Sequence, residues 1–375
     1  MAKNKPRTCE VVIIGAGPAG LGMACVLRDL GIKDYVVLDQ RGIGASFDRW
    51  PKQMRLITPS FPTNSIGMLD LNSIALGTSP AFTLQAEHPT GKQYATYLRA
   101  LAAHFKLPVK TDVRVAGIVS QEDDAFKILT NHGFIRAQYV IWAAGEFQTP
   151  RRAPFPGAEL CVHNSRYRDW NDFQGDDALI IGGYESGIDA GIQLVNLGKK
   201  VRVLDRKSTW DSAASDPSIT LSTYTLERMV AAQKTGLLEL HDGVEIVNVE
   251  RHEKVFTLSA RDGTSYRSRT APILATGFES SARLIHDLWE WREDGLPLVS
   301  ELDESTRTPG LFLSGPSLRH EQHVFCFIYK FRQRFAIVAA EIGKRLGYDA
   351  TKLDHYRQWG MYLDDLSCCG QSCEC

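Results

Sequence analysis

A strand, a glycine-rich turn and a helix follow one another twice in this chain, and this repeat constrains the fold more than any other feature. In the order strand, helix, strand, the two copies are 10–14, 21–30 and 35–38, and then 178–181, 187–197 and 201–204. Two strands joined by a helix within about thirty residues are typical of parallel sheets covered by helices on both faces. We predict an α/β chain with two such three-layer domains, because 375 residues fit two domains of roughly 150 residues each.

The first turn has the glycine spacing that cradles a dinucleotide. Directly after a strand, it reads Gly15, Ala16, Gly17, Pro18, Ala19 and Gly20. Gly15 permits the tight turn, Gly17 lets the backbone approach a pyrophosphate, and Gly20 lets the helix pack closely on the strand. The start of the helix then faces the phosphate charge. At the end of the second strand, Asp39 is placed to hydrogen-bond an adenosine ribose, and Gln40 follows it.

The second turn is a degenerate version of the first. It consists of Gly182, Gly183, Tyr184, Glu185, Ser186 and Gly187. Tyr184 stands where the first turn has its second glycine, so a pyrophosphate would lie further out or the loop would bend differently. A turn that has lost its ligand is the alternative.

The strand after the second turn ends in three charged residues that bear on the choice of nucleotide. Arg206 and Lys207 are candidates to bind a ribose 2′-phosphate, which favours NADPH. Asp205 would instead bind a free 2′-hydroxyl and favour NADH. A solvated basic surface is the third interpretation of the pair, and NADPH is our prediction.

Charge and cysteine content narrow the class of protein. Lys plus Arg number 43 and Asp plus Glu number 44, a balance that disfavours nucleic acid or an anionic membrane surface as partner. No apolar run is long enough to span a bilayer, and the run at 11–14 is too short for a secretory signal. Cys9, Cys25, Cys161 and Cys326 are scattered singly, so we expect a reducing cytoplasm and not a disulfide framework.

Several connecting segments resemble those of flavoproteins with two dinucleotide-binding domains. Four of these segments are 46–51, 143–150, 275–278 and 308–315. Those at 143–150 and 275–278 resemble the paired crossover segments of that superfamily. A fifth group, residues 155–157 with His163, Ser165 and Tyr167, resembles the linker of class B flavin monooxygenases. The resemblance reaches about residue 345 and includes the short flavin monooxygenase-like proteins and the bacillithiol disulfide reductases.

This resemblance implies an arrangement of domains and cofactors. It implies two Rossmann-like domains, in which a discontinuous FAD-binding domain at 1–150 and 276–366 contains an inserted NAD(P)H-binding domain at 151–275. The cofactor-binding residues that it adds are Ser46, Trp50, Ala144, Gly145, Thr276, Gly277 and Gly315. It also makes His163 and Tyr167 candidates for organising the hinge, although a lone histidine on a loop is more often solvated or structurally satisfied.

The same resemblance supplies three candidate catalytic residues. Asn64 lies in the stretch that would run beside the flavin ring, and its amide is a candidate to hydrogen-bond oxygen there. An asparagine that caps its own turn is the alternative. Lys330 and Arg332 lie where the last helix of the FAD domain would pass the ring, and either could offset the charge of reduced flavin. A basic helix face in solvent is the other interpretation.

The chain departs from its relatives at its cysteines. The body has no Cys-X-X-Cys or Cys-X4-Cys pair, which classical disulfide reductases place beside the flavin, and Ala19 stands where bacillithiol disulfide reductases have a cysteine. A tail at 367–375 resembles the vicinal-cysteine tail of mercuric reductases and contains Cys368, Cys369, Cys373 and Cys375. Four soft thiolates suit a soft metal or metalloid ion. A zinc site in the tail, or thiols without a role, are the alternatives.

These features together predict an FAD-dependent, NADPH-oxidising, monooxygenase-like enzyme. Hydride would pass from NADPH to flavin, and activated oxygen would attack a small soft nucleophile. The alternatives are an NADPH-dependent reductase of thiols, disulfides or soft metals that uses the tail, and a redox or metal sensor built on a flavoprotein scaffold. We expect a small-molecule substrate and no nucleic-acid or membrane partner. The oligomeric state stays open, with a homodimer among the options.

Overall fold

The computed structural model describes residues 7–123, 125–212, 214 and 216–367. The strands are β1 (Arg7–Ile14), β2 (Tyr35–Leu38), β3 (Val109–Lys110), β4 (Val115–Ser120), β5 (Phe126–Thr130), β6 (Gly133–Trp142), β7 (Val162–His163), β8 (Asp177–Ile181), β9 (Lys200–Leu204), β10 (Leu238–His241), β11 (Ile246–His252), β12 (Val255–Ala260), β13 (Ser265–Ser268), β14 (Ile273–Leu274), β15 (Glu290–Trp291), β16 (Pro297–Leu298), β17 (Leu311–Leu313), β18 (Arg319–His320) and β19 (His323–Val324). The helices are α1 (Pro18–Leu30), α2 (Ala45–Asp48), α3 (Pro80–Leu84), α4 (Gly91–His104), α5 (Glu185–Asn196), α6 (Thr223–Gln233), α7 (Ile328–Phe331) and α8 (Phe335–Arg345).

The described residues divide into two compact units. The first comprises residues 7–48, 59–148 and 280–367, and the second comprises residues 49–58 and 149–279. Segment 49–58 therefore groups with the second unit, although it lies inside the first domain predicted from the sequence. No helix of the described chain combines the length and apolarity that a bilayer-crossing segment needs.

The first unit contains a seven-stranded sheet. Its order is β3-β2-β1-β6-β5-β4, and β17 pairs with β6 as well. The strands from β3 to β6 along this path, and β17, pair in parallel, whereas β4, β5 and β6 form an antiparallel meander. The helix α1 follows β1 and packs against α8, and a methyl group on Gly22 would lie 2.0 Å from the Phe335 ring. Only glycine allows the two helices to approach this closely.

The second unit has three layers. Its parallel sheet has the order β10-β9-β8-β14-β7, and an antiparallel sheet consists of β11, β12 and β13. Alternate residues of β8 point to opposite sides, because successive side chains in a strand alternate. Ile180 packs into a core with α5 and α6, whereas Leu179 packs into a second core with β11 and β12. These layers confirm the α/β fold that is predicted for the domain containing the second glycine turn.

Some segments differ from what their sequence predicts. Apolar spacing predicts one long final helix region at 326–345, but the structure interrupts it: α7 is followed by a 3₁₀ turn, Arg332–Arg334, before α8 begins. Both arginines of this turn are buried and bind backbone oxygens. Hydrophobic periodicity reports which positions are buried but cannot reveal what a buried arginine binds. The composition of 79–91 predicts an exposed loop, and the structure places the short helix α3 within it.

Candidate functional site

The first glycine turn is shaped by close approaches of backbone. Gly15 has a φ of 111°, and a Cβ there would lie 2.4 Å from the Ala143 carbonyl oxygen. A Cβ on Gly20 would lie 1.8 Å from the Gly15 carbonyl oxygen. By contrast, a Cβ on Gly17 would meet no atom within 4 Å. Gly15 and Gly20 are therefore required for the fold of the turn, whereas Gly17 leaves open space at the surface of the turn.

The start of α1 fits a phosphate group. Gly17 is the N-cap residue, no side chain caps the helix, and Pro18 occupies the first helical position. The amide groups of a helix start carry partial positive charge and favour an anion. A Cβ on Gly315 would lie 3.2 Å from the Ala19 Cβ, so the residues just after β17 adjoin this helix start. The structure thus brings Gly315 next to the first turn, and its contact with a cofactor stays a prediction.

Asp39 braces the first turn from the end of β2. Its Oδ2 accepts a hydrogen bond from the Ala16 amide at 2.9 Å. Its Oδ1 accepts from the amides of Arg41 and Gly42 at 2.8 and 2.9 Å. The carboxylate therefore holds the turn and the residues after β2 in one arrangement. Its predicted bond to a ribose stays a prediction.

A pair of glutamines beside Asp39 was missed by the sequence reasoning. The Gln40 amide donates to the Gln148 side-chain oxygen at 2.6 Å, and the Gln148 amide donates to the Ala144 carbonyl at 3.1 Å. These bonds connect the end of β2 with the segment after β6. The Gly145 carbonyl in that segment accepts from the Ser281 amide at 3.3 Å. The spacing of 108 positions between the glutamines gives no local signal for the pair.

The next segment contains Ser46 and Asn64. Ser46 is exposed in the short helix α2. Asn64 begins a 3₁₀ turn, and its Nδ2 lies 3.5 Å from the Thr78 carbonyl oxygen, a long contact. The Asn64 Oδ1 is buried and has no hydrogen-bond partner among the described residues. A buried amide with a free polar atom is a group that can bind a small polar ligand. The catalytic role of Asn64 stays a prediction.

Arg332 is buried and holds the segment 69–73. Its Nη1 donates to the carbonyls of Asp70 and Ser73, and its Nη2 lies 3.3 Å from the Leu69 carbonyl. Burial lowers the pKa of Arg332 to about 10, and the nearby Asp70 carboxylate partly opposes this effect. Arg332 therefore has a structural role, and it does not lie on a solvent-facing basic surface. Lys330 is half-buried in α7, with Nζ 5.9 Å from the centre of the Phe327 ring.

The second glycine turn repeats the backbone geometry of the first. Gly182 has a φ of 105°, and a Cβ there would lie 2.5 Å from the Ala275 carbonyl oxygen. A Cβ on Gly187 would lie 1.9 Å from the Gly182 carbonyl oxygen. Tyr184 takes the N-cap position of α5 without capping it by its side chain. Its hydroxyl group donates to the Pro217 carbonyl at 2.6 Å, so the ring turns towards the segment after β9.

The side chains after Tyr184 have protein partners. Glu185 accepts from the Ser222 amide and, at 2.6 Å, from the Thr225 hydroxyl group, contacts that anchor the start of α6. Burial raises the pKa of Glu185, and these hydrogen bonds lower it in part. Ser186 is half-buried in the first turn of α5. The side chain of Glu185 thus supports the fold beside the helix start, and cofactor contact stays a prediction for both residues.

Asp205 braces the second turn as Asp39 braces the first. Its Oδ2 accepts from the Gly183 amide at 2.9 Å, and its Oδ1 accepts from the Lys207 amide at 3.3 Å. Arg206 and Lys207 are both exposed, and neither side chain forms an ion pair with any described residue. These two exposed cations follow Asp205, whose carboxylate is hydrogen-bonded to the backbone, and their side chains are able to bind a phosphate group.

The segments around residues 150 and 277 are bonded to each other. Pro150 and Phe278 form an antiparallel bridge, and the Thr276 hydroxyl group donates to the Arg151 carbonyl at 2.8 Å. His163 binds the Gly277 carbonyl through Nε2 at 3.0 Å, and its Nδ1 accepts from the Ser165 amide at 3.2 Å. These contacts fit a neutral imidazole with its hydrogen on Nε2. Burial is the main cause that lowers the pKa of His163, which favours this neutral form.

Trp50 belongs to the segment 49–58 of the second unit. That segment is held through Asp169, which accepts from Lys52 at 2.7 Å and from the Gln53 amide at 2.6 Å. These hydrogen bonds lower the pKa of Asp169. Trp50 itself is half-buried. Its predicted contact with a flavin stays a prediction.

The cysteines of the body are single thiols. Cys9 and Cys25 are buried, Cys161 and Cys326 are half-buried, and burial raises the pKa values of Cys25 and Cys161 to about 12 each. A protonated thiol is a poor nucleophile. Cys368, Cys369, Cys373 and Cys375, predicted as metal ligands, lie outside the described residues. Within the described residues, no group of three or more His, Cys, Asp or Glu side chains could hold a metal ion.

Comparison with known protein families identifies the class of this chain. Residues 12–315 match the model of the pyridine nucleotide-disulphide oxidoreductases, a span that includes both glycine turns. The chain belongs to this family. The predicted oxidoreductase class and the predicted α/β flavoprotein fold are thereby confirmed, whereas the likeness of the tail to mercuric reductases is not.

The relatives of this chain within the family have different activities. It is 23% identical to the bacilliredoxin reductase Bdr of Bacillus subtilis over 338 residues, which cover 90% of this chain and 98% of the relative. The bacillithiol disulfide reductase Bdr of Staphylococcus aureus superposes with a TM-score of 0.73 at 21% identity, over 90% of this chain and 99% of that protein. A flavin-containing monooxygenase of Stenotrophomonas maltophilia superposes with a TM-score of 0.70 at 18% identity, over 91% and 99%. At these identities the two solved structures show the shared fold alone.

Proposed function

We propose that this chain is an FAD-dependent, NADPH-oxidising enzyme that passes electrons from NADPH through flavin to oxygen. The observation that carries the proposal is the pair of glycine turns, each braced by an acid from the end of the next strand. The Ala16 amide binds Asp39, and the Gly183 amide binds Asp205, each at 2.9 Å. Two dinucleotide cradles in one chain suit a reaction in which one dinucleotide reduces the other.

The first cradle suits FAD. Gly15, Gly17 and Gly20 would admit the pyrophosphate to the start of α1, and Asp39 would orient the adenosine end. Bound FAD would accept hydride from NADPH and deliver electrons to the acceptor. The second cradle suits NADPH because Arg206 and Lys207 are exposed cations beside Asp205. NADPH is favoured over NADH at this cradle because only NADPH has the 2′-phosphate that these two cations could bind.

Oxygen is favoured as acceptor over a disulfide that reacts with the body of the chain. Such a disulfide would need a reactive cysteine at the flavin, and Cys25 and Cys161 are poor candidates because burial raises the pKa values of their thiols. Ala19 stands at the start of α1, where a thiol would be needed for a reaction through the first turn. The substrate would be a small soft nucleophile, which receives one oxygen atom while the other leaves as water. Asn64 is the residue proposed to donate a hydrogen bond to the oxygen, because among the described residues its Nδ2 makes only a long contact, 3.5 Å to the Thr78 carbonyl oxygen.

The test starts from the purified protein with its bound flavin. NADPH added without oxygen should bleach the flavin absorption, and readmitted oxygen should restore it with hydrogen peroxide or an oxygenated substrate as product. The Gly17→Val variant should lack flavin and serves as the control for adventitious NADPH oxidation. Absence of flavin from the wild-type protein would overturn the proposal.

The second candidate function is an NADPH-dependent reductase of disulfides or thiolate-bound soft metals. The four cysteines in the last eight residues favour it, because thiolates bind soft ions far better than oxygen ligands do. Deletion of residues 367–375 separates the two candidates. It should leave flavin reduction and oxygen consumption unchanged for the oxygenase. For the reductase, it should abolish NADPH oxidation that depends on As(III), Hg(II) or a disulfide.

A further inference from the structure

Trp210 lies directly against the second glycine turn. It belongs to a short 3₁₀ turn, Thr209–Asp211, in the segment after β9. A Cβ on Gly183 would lie 2.3 Å from Cζ3 of Trp210 and 2.8 Å from both Cβ and Oδ2 of Asp205, distances too short for non-bonded atoms. The indole ring is half-buried and packs on the core formed with α5 and α6. Gly183 is therefore required by its neighbours, with the ring of Trp210 the nearest of them, and not by its own backbone angles.

The first turn has a different residue at the equivalent position. Ala16 and Gly183 each follow the first glycine of their turn, and each donates its amide to the bracing acid at 2.9 Å. At Ala16 a methyl group fits beside Asp39, whereas at Gly183 the methyl group is missing and an indole ring fills the space. The second turn thus has an aromatic surface next to its acid that the first turn lacks at this position.

The segment that contains Trp210 is bonded to the turn at both backbone groups of Gly183. Asp205 accepts from the Gly183 amide, and the Thr209 hydroxyl group donates to the Gly183 carbonyl at 2.7 Å. Ser208, between them, has a φ of 46°, a left-handed conformation that costs energy for a residue other than glycine. Its hydroxyl group donates to Asp242 at 3.1 Å. The indole ring is consequently held in place before any nucleotide binds.

We propose that Trp210 is a stacking platform for the adenine ring of the nicotinamide nucleotide, an inference that rests on the proposed function of the second turn. In a dinucleotide site, the acid that follows the second strand of the strand–helix–strand unit lies at the adenosine end, and here that acid is Asp205, directly after β9. The ring of Trp210 adjoins that acid, and the exposed Arg206 and Lys207 follow it in the chain. An aromatic ring beside the acid and the cations matches an adenosine with a phosphorylated ribose. Stacking of a base on an aromatic side chain is sequence-tolerant and strong.

The test measures binding of adenosine 2′,5′-bisphosphate, which contains only the adenosine end, by calorimetry on the FAD-loaded protein. Trp210→Leu keeps an apolar side chain on the core and removes the aromatic face, and we expect its Kd to rise roughly 10-fold. Trp210→Phe keeps an aromatic face and should stay within about threefold of wild type. The matched control is Trp291→Leu, because Trp291 belongs to the other unit and stacks on His286.

Reduced nicotinamide mononucleotide provides a second arm, because it lacks the adenosine end. The rate of flavin reduction by this mononucleotide should be the same in wild type and Trp210→Leu, whereas the KM for NADPH should rise in the variant. Gly183→Ala should also weaken bisphosphate binding, because its methyl group would collide with the indole ring and with Asp205.

Three results would overturn the inference. Unchanged binding of the bisphosphate by Trp210→Leu would place the ring outside the site, and tighter binding would mean that the ring obstructs it. Equal losses for the bisphosphate and the mononucleotide would mean a general distortion of the second unit. If wild-type protein binds neither the bisphosphate nor NADPH, the proposed function of the second turn fails as well, which distinguishes the two failures.

Discussion

Replacement of Gly17 by valine should remove FAD from the protein without unfolding it. Gly17 has a φ of −88° and a ψ of −170°, an extended conformation that any residue can adopt. A Cβ at this position meets no atom within 4 Å. The valine side chain therefore fits the protein without FAD, but it projects into the space through which a pyrophosphate would approach the start of α1.

The size of the effect follows from the contacts at the helix start. The amides of Ala19 and Gly20 are the groups that would bind the pyrophosphate, and hydrogen bonds to charged groups contribute about 1.5–3 kcal/mol each. Loss of two such bonds raises the Kd for FAD roughly 10²- to 10⁴-fold. The cost to the fold is smaller, because exchange of glycine for an apolar residue at an N-cap costs at most about 1 kcal/mol.

The assay combines the flavin absorption of the purified variant with thermal unfolding of the FAD-free proteins. Gly17→Val should be colourless and should unfold within a few degrees of FAD-free wild type, since about 1 kcal/mol shifts the Tm by roughly 2–4 °C for 150–250 residues and by less for a longer chain. Gly20→Ala is the matched control, because its Cβ would lie 1.8 Å from the Gly15 carbonyl and should destabilise the fold itself. A full complement of flavin in Gly17→Val would refute the assignment of this turn to FAD.

Three further predictions concern the second unit and the tail. Arg206→Ala should raise the KM for NADPH much more than the KM for NADH, because only NADPH has the 2′-phosphate; equal changes in initial-rate assays would place Arg206 outside the nucleotide site. The pKa of His163 is lowered in the folded protein, so its stabilising contribution is complete above the unfolded value of about 6.5 and is lost as the pH falls through the lower folded value. Between neutral and acidic pH, the Tm of wild type should therefore fall more than the Tm of His163→Gln. Parallel dependences of the two Tm values on pH would contradict this assignment. Titration of the reduced protein with Zn(II), As(III) and Hg(II) should protect thiols of the tail, and four equally reactive tail thiols after saturation with each ion would end the metal hypothesis.

The strands and glycine turns could be predicted from the sequence because their signals are local. Buried parallel strands are short apolar runs, and glycines with positive φ, such as Gly15 and Gly182, occur at fixed spacing after them. The fold therefore followed from two short patterns. The interruption of the last helix did not, because it depends on what Arg332 and Arg334 bind in distant parts of the chain.

Site residues could be predicted from the sequence where a position requires one residue type for one purpose, as the glycines of the two turns do. Asp39 is the predicted ribose-binding acid, and Asp205 is the alternative that would favour NADH; the structure shows that each of them also holds the amide of its own turn. The contact between Gln40 and Gln148 spans distant positions and leaves no pattern to detect. Side chains that bind the backbone of remote segments are the part of a site that spacing cannot predict.

The two turns show how one architecture can be adapted to two nucleotides. Both keep the glycines at which a Cβ would collide with backbone, Gly20 in the first turn and Gly187 in the second. They differ at the N-cap residue of the following helix: Gly17 leaves open space in the first turn, whereas in the second turn the hydroxyl group of Tyr184 donates to the Pro217 carbonyl. A flavin that remains bound through every cycle profits from close contact with the helix start. A nicotinamide nucleotide that must leave after each hydride transfer is better served by looser phosphate contact, and specificity can then come from the adenosine end.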